Sequence, residues 1–130
     1  MRPGQELPPR TRSVEAPDLA AYAEASGDRN PLHLDEAFAR SVGFPSVIAH
    51  GMLTLGHLGA ALRDWAVDGE VIALRAQFRA PVFPGETIVA RGRVRAVAGD
   101  VVTLDVWVEV ERDGRIEEPV RRGEAEIRLV

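Results

Sequence analysis

Asp28 and His33 are a carboxylate and an imidazole five positions apart, and together they could move protons. The stretch between them, Asp28-Arg29-Asn30-Pro31-Leu32-His33, follows Gly27 and carries Pro31, so its path is pinned on both sides. In such a pair one group takes a proton while the other gives one, and either can hold a water. The ordinary pKa values of the two side-chain types, about 3.9 and about 6.5, bracket useful chemistry. Read on spacing alone, the same residues also fit an aspartate that caps a turn and a histidine satisfied in the core. A second element is His50-Gly51-Met52. Gly51 falls where a long helix should begin, and there the first N–H groups lack partners and the dipole is positive. A substrate carbonyl placed there would be polarised and a developing enolate stabilised, and glycine lets a ligand come close. The plainer alternative is that Gly51 relieves packing and His50 caps the turn. His57 lies among leucines and reads as structural. The spacing of Asp28, His33 and His50 resembles no zinc motif, so no metal is expected.

These groups need elements to hold them. Arg10 to Val14 fits a short edge strand. Pro17 suits the first turn of a helix whose Leu19, Tyr22, Ala23 and Ser26 share one face, with Gly27 as its stop. Pro31 disfavours helical geometry at Asn30, so Asp28 to His33 is expected to be irregular. Asp35 can cap a short helix through Val42, ended by Gly43, with a turn at Phe44-Pro45-Ser46. From Ala49 to Trp65 the apolar residues leave no broad polar face before Arg63, which predicts a helix buried nearly all round. After Gly69 the chain reads as strand. Val71–Val82, Thr87–Val97, Val102–Val110 and Glu124–Val130 alternate or run apolar, with turns at Ala98-Gly99-Asp100 and Asp113-Gly114. Gly92 fits either packing relief or a bend. The expectation is an α+β fold: a long buried helix wrapped by a curved antiparallel meander.

Composition narrows the function classes. At 130 residues, one domain over residues 1–130 is expected. A formal net charge of -4 argues against a general nucleic-acid binder. All 16 basic residues are arginine, which rules out a lysine Schiff base, and the absence of cysteine rules out a thiol nucleophile, a disulfide framework and Cys metal sites. No signal-like segment or membrane-length apolar run is apparent, so a cytoplasmic location away from membranes is the expectation.

Taken together, SGDRNPLHLD followed by GFPSVIAHGMLTLG closely resembles the MaoC-like (R)-specific enoyl-thioester hydratases and dehydratases, which have the hot-dog fold. The match is dense over about 35 residues. It is looser over the strands, where AQFRAPVFPGE looks like the family's strand after the helix. The resemblance implies that Asp28 and His33 are the catalytic pair and that Asn30 braces their loop. Ser26 and His50 are expected to support the pair, and the resemblance gives the Gly51 N–H as the group that would bind the thioester carbonyl. It implies reversible hydration of a trans-2-enoyl thioester to an (R)-3-hydroxyacyl thioester, carried on coenzyme A or acyl carrier protein, with no metal or redox cofactor. Some relatives carry a serine two turns into the helix. The corresponding residue here is Gly59, which implies a wider acyl pocket or one polar contact fewer. A single hot-dog unit would pair side by side into one continuous sheet, so a homodimer is expected, with a heterodimer as its alternative. A thioesterase on the same fold is the rival activity, and a non-catalytic partner subunit is a further rival, against which the retention of Asp28 and His33 argues.

Overall fold

The computed structural model describes Met1 to Val130, and its core is the seam between one helix and one sheet. The elements in chain order are β1 (Arg10–Ser13), α1 (Ala16–Ser26), α2 (Pro31–Leu34), α3 (Glu36–Ser41), α4 (Gly51–Trp65), β2 (Gly69–Phe78), β3 (Thr87–Ala98), β4 (Val101–Arg112) and β5 (Arg115–Leu129). The five strands form one antiparallel sheet in the order β1-β3-β4-β5-β2. Leu58, Ala61 and Leu62 of α4 are wholly buried with Val102, Leu104, Val108, Ala125 and Ile127 of the sheet. Each large apolar side chain so buried contributes roughly 1.5–3 kcal/mol relative to exposure. The α+β expectation therefore holds, and the hairpin signals fall where they were placed. Asp113 and Gly114 both take positive φ, 53° and 74°, as a two-residue turn between twisted strands requires.

Four expectations need correction. First, only β3, β4 and β5 form a meander, because β2 crosses to the far edge and pairs with β5. Second, β5 starts nine residues before Glu124, at Arg115. Its early half was hidden by Pro119, which sits where the β4–β5 register slips between Val108 and Val110. A bulge tolerates a residue with no N–H to give the ladder. Third, the apolar run from Ala49 begins before the helix does: α4 starts at Gly51, where its first turn was expected, and Ala49 N–H is committed to the Val82 carbonyl at 2.8 Å. Fourth, α4 is not buried all round. Thr54, His57, Leu58, Ala61 and Leu62 are buried, whereas Met52 is 56% exposed and Gly56 is open. The sheet of one chain covers one side of the helix only.

The far end of α4 is pinned as well. Trp65 Nε1–H donates to the Pro8 carbonyl at 2.8 Å, and its ring lies where a Cβ on Gly92 would come within 2.8 Å. Gly92 is therefore packing relief.

Candidate active site

The sequence between α1 and α3 folds by local hydrogen bonds. Gly27 ends α1 in the left-handed conformation, φ 78°, and its N–H donates to the Ala23 carbonyl at 2.9 Å. The Ser26 hydroxyl accepts from Asp28 N–H at 3.1 Å, and Asp28 Oδ1 accepts from Asn30 N–H at 3.2 Å. Asn30 Oδ1 in turn accepts from Leu32 N–H at 3.0 Å, which makes Asn30 the N-cap of α2. The expected irregular run thus contains one helical turn, with His33 on it. Pro31 excludes helical geometry from the residue before it, and that residue is the cap, where extended backbone is wanted. Pro31 itself takes the first helical position, which needs no N–H. Asp35 then caps α3 by accepting from Phe38 N–H at 3.1 Å.

This turn aims His33 at Asp28. His33 Nε2 and Asp28 Oδ2 are 3.9 Å apart, with the His33 side chain 12% and the Asp28 side chain 53% exposed. The other ring nitrogen, Nδ1, lies 2.7 Å from the Ile48 carbonyl. A carbonyl only accepts, so Nδ1 carries the proton and a neutral His33 presents a lone pair at Nε2. Two acceptors therefore face each other across a gap too long for a direct hydrogen bond. A water about 2.8 Å from each would subtend an angle of roughly 90° at its oxygen, and it could donate one proton to each acceptor. Its own lone pairs would then point away from the pair.

His50 backs this arrangement. Its ring stacks on His33 with centroids 3.8 Å apart and planes 22° apart, and its Nε2–H donates to the Asp28 backbone carbonyl at 2.9 Å. Asp28, His33 and His50 each bring one ligand-capable atom within 4.8 Å of the others. The geometry nonetheless does not suit one ion. The lone pairs of near-parallel stacked rings do not converge, and one nitrogen of each ring already serves a carbonyl.

His50 is also the residue before α4, so Gly51 opens that helix beside the pair. As the first helical residue, Gly51 has no intrahelical acceptor for its N–H. A cavity of about 310 Å³ opens at this point, walled by Phe44, Ile48, Gly51, Thr54, Phe78, Arg79, Pro81, Val82 and Pro119, among others. Asp28 and His33 lie next to this cavity rather than in its wall, and Ile48 and Gly51 connect them to it. Of this lining, the sequence pointed only to Gly51. Thr54 could have been found as the residue one turn beyond Gly51 on the same helix face. Phe78 and Pro119 come from strands remote in sequence. Gly59 is not in the wall, so the expected widening of the pocket there is not what shapes this cavity. The polar side chain that α4 gives the cavity is Thr54.

The outer wall is held by an ion pair. Arg112 Nε and Nη2 donate to both oxygens of Glu86, at 2.8 and 2.7 Å, and Nη2 also donates to the Pro81 carbonyl at 2.9 Å. Arg112 hydrogen bonds hold the Glu86 carboxyl below its ordinary range against the opposing effect of burial. No helix is long and apolar enough to cross a membrane.

The 3-hydroxybutyryl-CoA dehydratase of Methylorubrum extorquens is 35% identical over 111 residues, which take in 79% of this chain and 71% of that protein. The (R)-hydratase from A. caviae involved in PHA biosynthesis superposes with a TM-score of 0.88 at 30% identity, covering 100% of this chain and 98% of that one. R-Hydratase PhaJ1 from Pseudomonas aeruginosa, unliganded, also gives 0.88, at 31% identity over 99% of this chain and 82% of its own. Other curated relatives are much longer, and the match spans only 6% to 29% of their length. The profile of the MaoC like domain matches residues 1–126, so this hot-dog chain belongs to the MaoC-like dehydratase family.

Proposed function

We propose that the chain catalyses reversible hydration of a trans-2-enoyl thioester to an (R)-3-hydroxyacyl thioester. The observation that carries this is the open pair at 3.9 Å, two proton acceptors beside the free N–H that begins α4. The water between them donates to both. His33 Nε2, the more basic of the two types, takes its proton as the oxygen bonds to C3. The electron pair of the C2–C3 double bond moves toward the thioester carbonyl, whose developing charge the Gly51 N–H stabilises. The pair then returns a proton to C2. Dehydration runs the same steps backward. Asn30 and Ser26 act indirectly, by fixing the turn that carries Asp28 and His33.

The apolar cavity beside Gly51 would take the acyl chain, and the carrier would be coenzyme A or acyl carrier protein. The relatives' names support the thioester class. The test is a spectrophotometric assay with crotonyl and longer enoyl thioesters on both carriers. Loss of the enoyl absorbance without release of thiol is expected. Release of free thiol in a trapping assay would instead identify a thioesterase.

The working unit in this reading is a homodimer. β2 offers an unpaired edge of 10 residues against the 4 of β1, and Met52 and Phe78 nearby are 56% and 55% exposed. Pairing two copies along β2 would extend the sheet. Light scattering of the chain expressed alone should give twice its mass at micromolar concentration. An active monomer would refute the pairing.

A further inference from the structure

His50 makes more contacts than a cap requires. It is 2% exposed and has three separate attachments. Its Nε2–H holds the Asp28 main-chain carbonyl at 2.9 Å. Its face lies on His33 at 3.8 Å, with Tyr22 tilted against it at 4.7 Å. Its own carbonyl accepts from Leu53 N–H at 3.0 Å and Thr54 N–H at 3.3 Å, the first turn of α4. One residue thus touches the acid, the base and the helix end that supplies the third group.

The remaining ring nitrogen explains what His50 does not do. Nδ1 is buried without a partner. Because Nε2 must be the N–H that meets a carbonyl, Nδ1 is an acceptor in the neutral ring. Protonating it would bury an unsatisfied donor and set a positive charge against the face of His33, the ring that gains a proton in the proposed cycle. The ring is therefore placed to support the pair rather than to relay a proton.

We infer that His50 is a positioning residue that keeps Asp28 and His33 in register with Gly51, without itself exchanging a proton. This rests on the hydratase reading above. Two variants separate its two contacts. His50→Phe keeps an aromatic face for His33 and loses the donor to Asp28. His50→Gln keeps an N–H donor and loses the face. Each should fold and lose on the order of 10- to 100-fold in kcat with KM little changed, as misplacement of reacting groups does. Gln should regain part of the loss seen with Phe if the Asp28 bond matters more. The pH profile of kcat/KM should drop in amplitude with its limbs in place. Wild-type kcat in both folded variants would reduce His50 to packing and overturn the inference. Loss of one limb of the profile would show that His50 exchanges a proton and would equally overturn it. Should Phe not fold, Gln alone decides by the same criteria. Full activity in Asp28→Asn would refute the hydratase pair itself, whatever the His50 variants do.

Discussion

His33 and His57 each give a ring N–H to a backbone carbonyl, and the two regions around them use that bond differently. His33 is on α2, a four-residue helix with no buried residue, and after binding Ile48 its Nε2 still faces the open carboxylate of Asp28. His57 is mid-α4, 4% exposed beside Leu58 and Ala61, and its Nε2–H meets the Arg10 carbonyl at 2.9 Å, which fastens the short β1 to the core. Burial pushes the His57 pKa down; the Arg10 hydrogen bond opposes this, and the charges of Arg10 and Arg12 add to it. The first region is lightly packed and sets the His33 Nε2 lone pair opposite an exposed carboxylate. The second is closely packed and holds its ring against the core. Reactivity here comes from the carboxylate that His33 faces.

The sharpest break of the comparison is mutation in the first region. Asp28→Asn keeps shape and removes charge; His33→Gln keeps polarity and removes the titrating base. Each should cost about 10²–10⁴-fold in turnover, and the double variant should be little worse than the poorer single, because groups sharing one water are not additive. Melting temperature should stay close to wild type, since neither residue is in the apolar core. A cap and a satisfied histidine would give the reverse, a lower melting temperature with turnover intact. Near wild-type turnover in either folded single variant would falsify the pair.

Gly51 should come next. A Cβ there would stand 3.1 Å from Phe78 Cε1, and Phe78 is exposed enough to move aside, so Gly51→Val should fold. The side chain would then obstruct the approach to the N–H. A loss on the order of 10²-fold is expected, as for one oxyanion donor. Unchanged turnover in the folded variant would move the carbonyl elsewhere.

The sequence carried one of these regions better than the other. The site lies within local reach: Gly27, Asn30, Pro31 and Asp35 set the path of Asp28 and His33 through bonds spanning two to four residues. The one local error, reading Asn30-Pro31 as a break rather than a helix start, came from applying the proline rule to the residue that serves as cap. What joins the site to its cavity was not legible. Pro119 reaches the wall from β5, and Pro81 is held by Arg112 from β4. Those contacts depend on β2 crossing the sheet, which no local pattern encodes. The exposed side of α4 was hidden for a related reason, because apolar residues there match those facing the sheet.

In the second region the effects should be smaller and of another kind. His57→Ala removes packing and the donor to Arg10. A loss of about 1–3 kcal/mol in unfolding free energy is expected. Turnover per folded molecule should be unchanged, read as a denaturant midpoint against kcat. A large fall in kcat with an unmoved midpoint would erase the distinction between the two histidines.

The smallest expected effect is the pH dependence of that same contribution. The folded-state pKa of His57 is lowered, so between the unfolded value near 6.5 and the lower folded value the unfolded chain binds more protons. Stability from the neutral buried ring is therefore fully present above about pH 6.5. It declines as pH falls from there toward the folded value, and it levels off below that. The wild-type slope sums every titrating group of the chain, so it alone is ambiguous. His57→Gln resolves it, because glutamine does not titrate and can still offer an N–H to Arg10. Unfolding free energies of both proteins, measured by denaturant from pH 8 to pH 5, should run parallel above about pH 7 and converge or cross below it, wild type losing more. The other histidines cancel in the difference. Parallel curves throughout would mean that His57 accepts a proton in the folded state as readily as in the unfolded one, and burial would then not be what distinguishes it from His33.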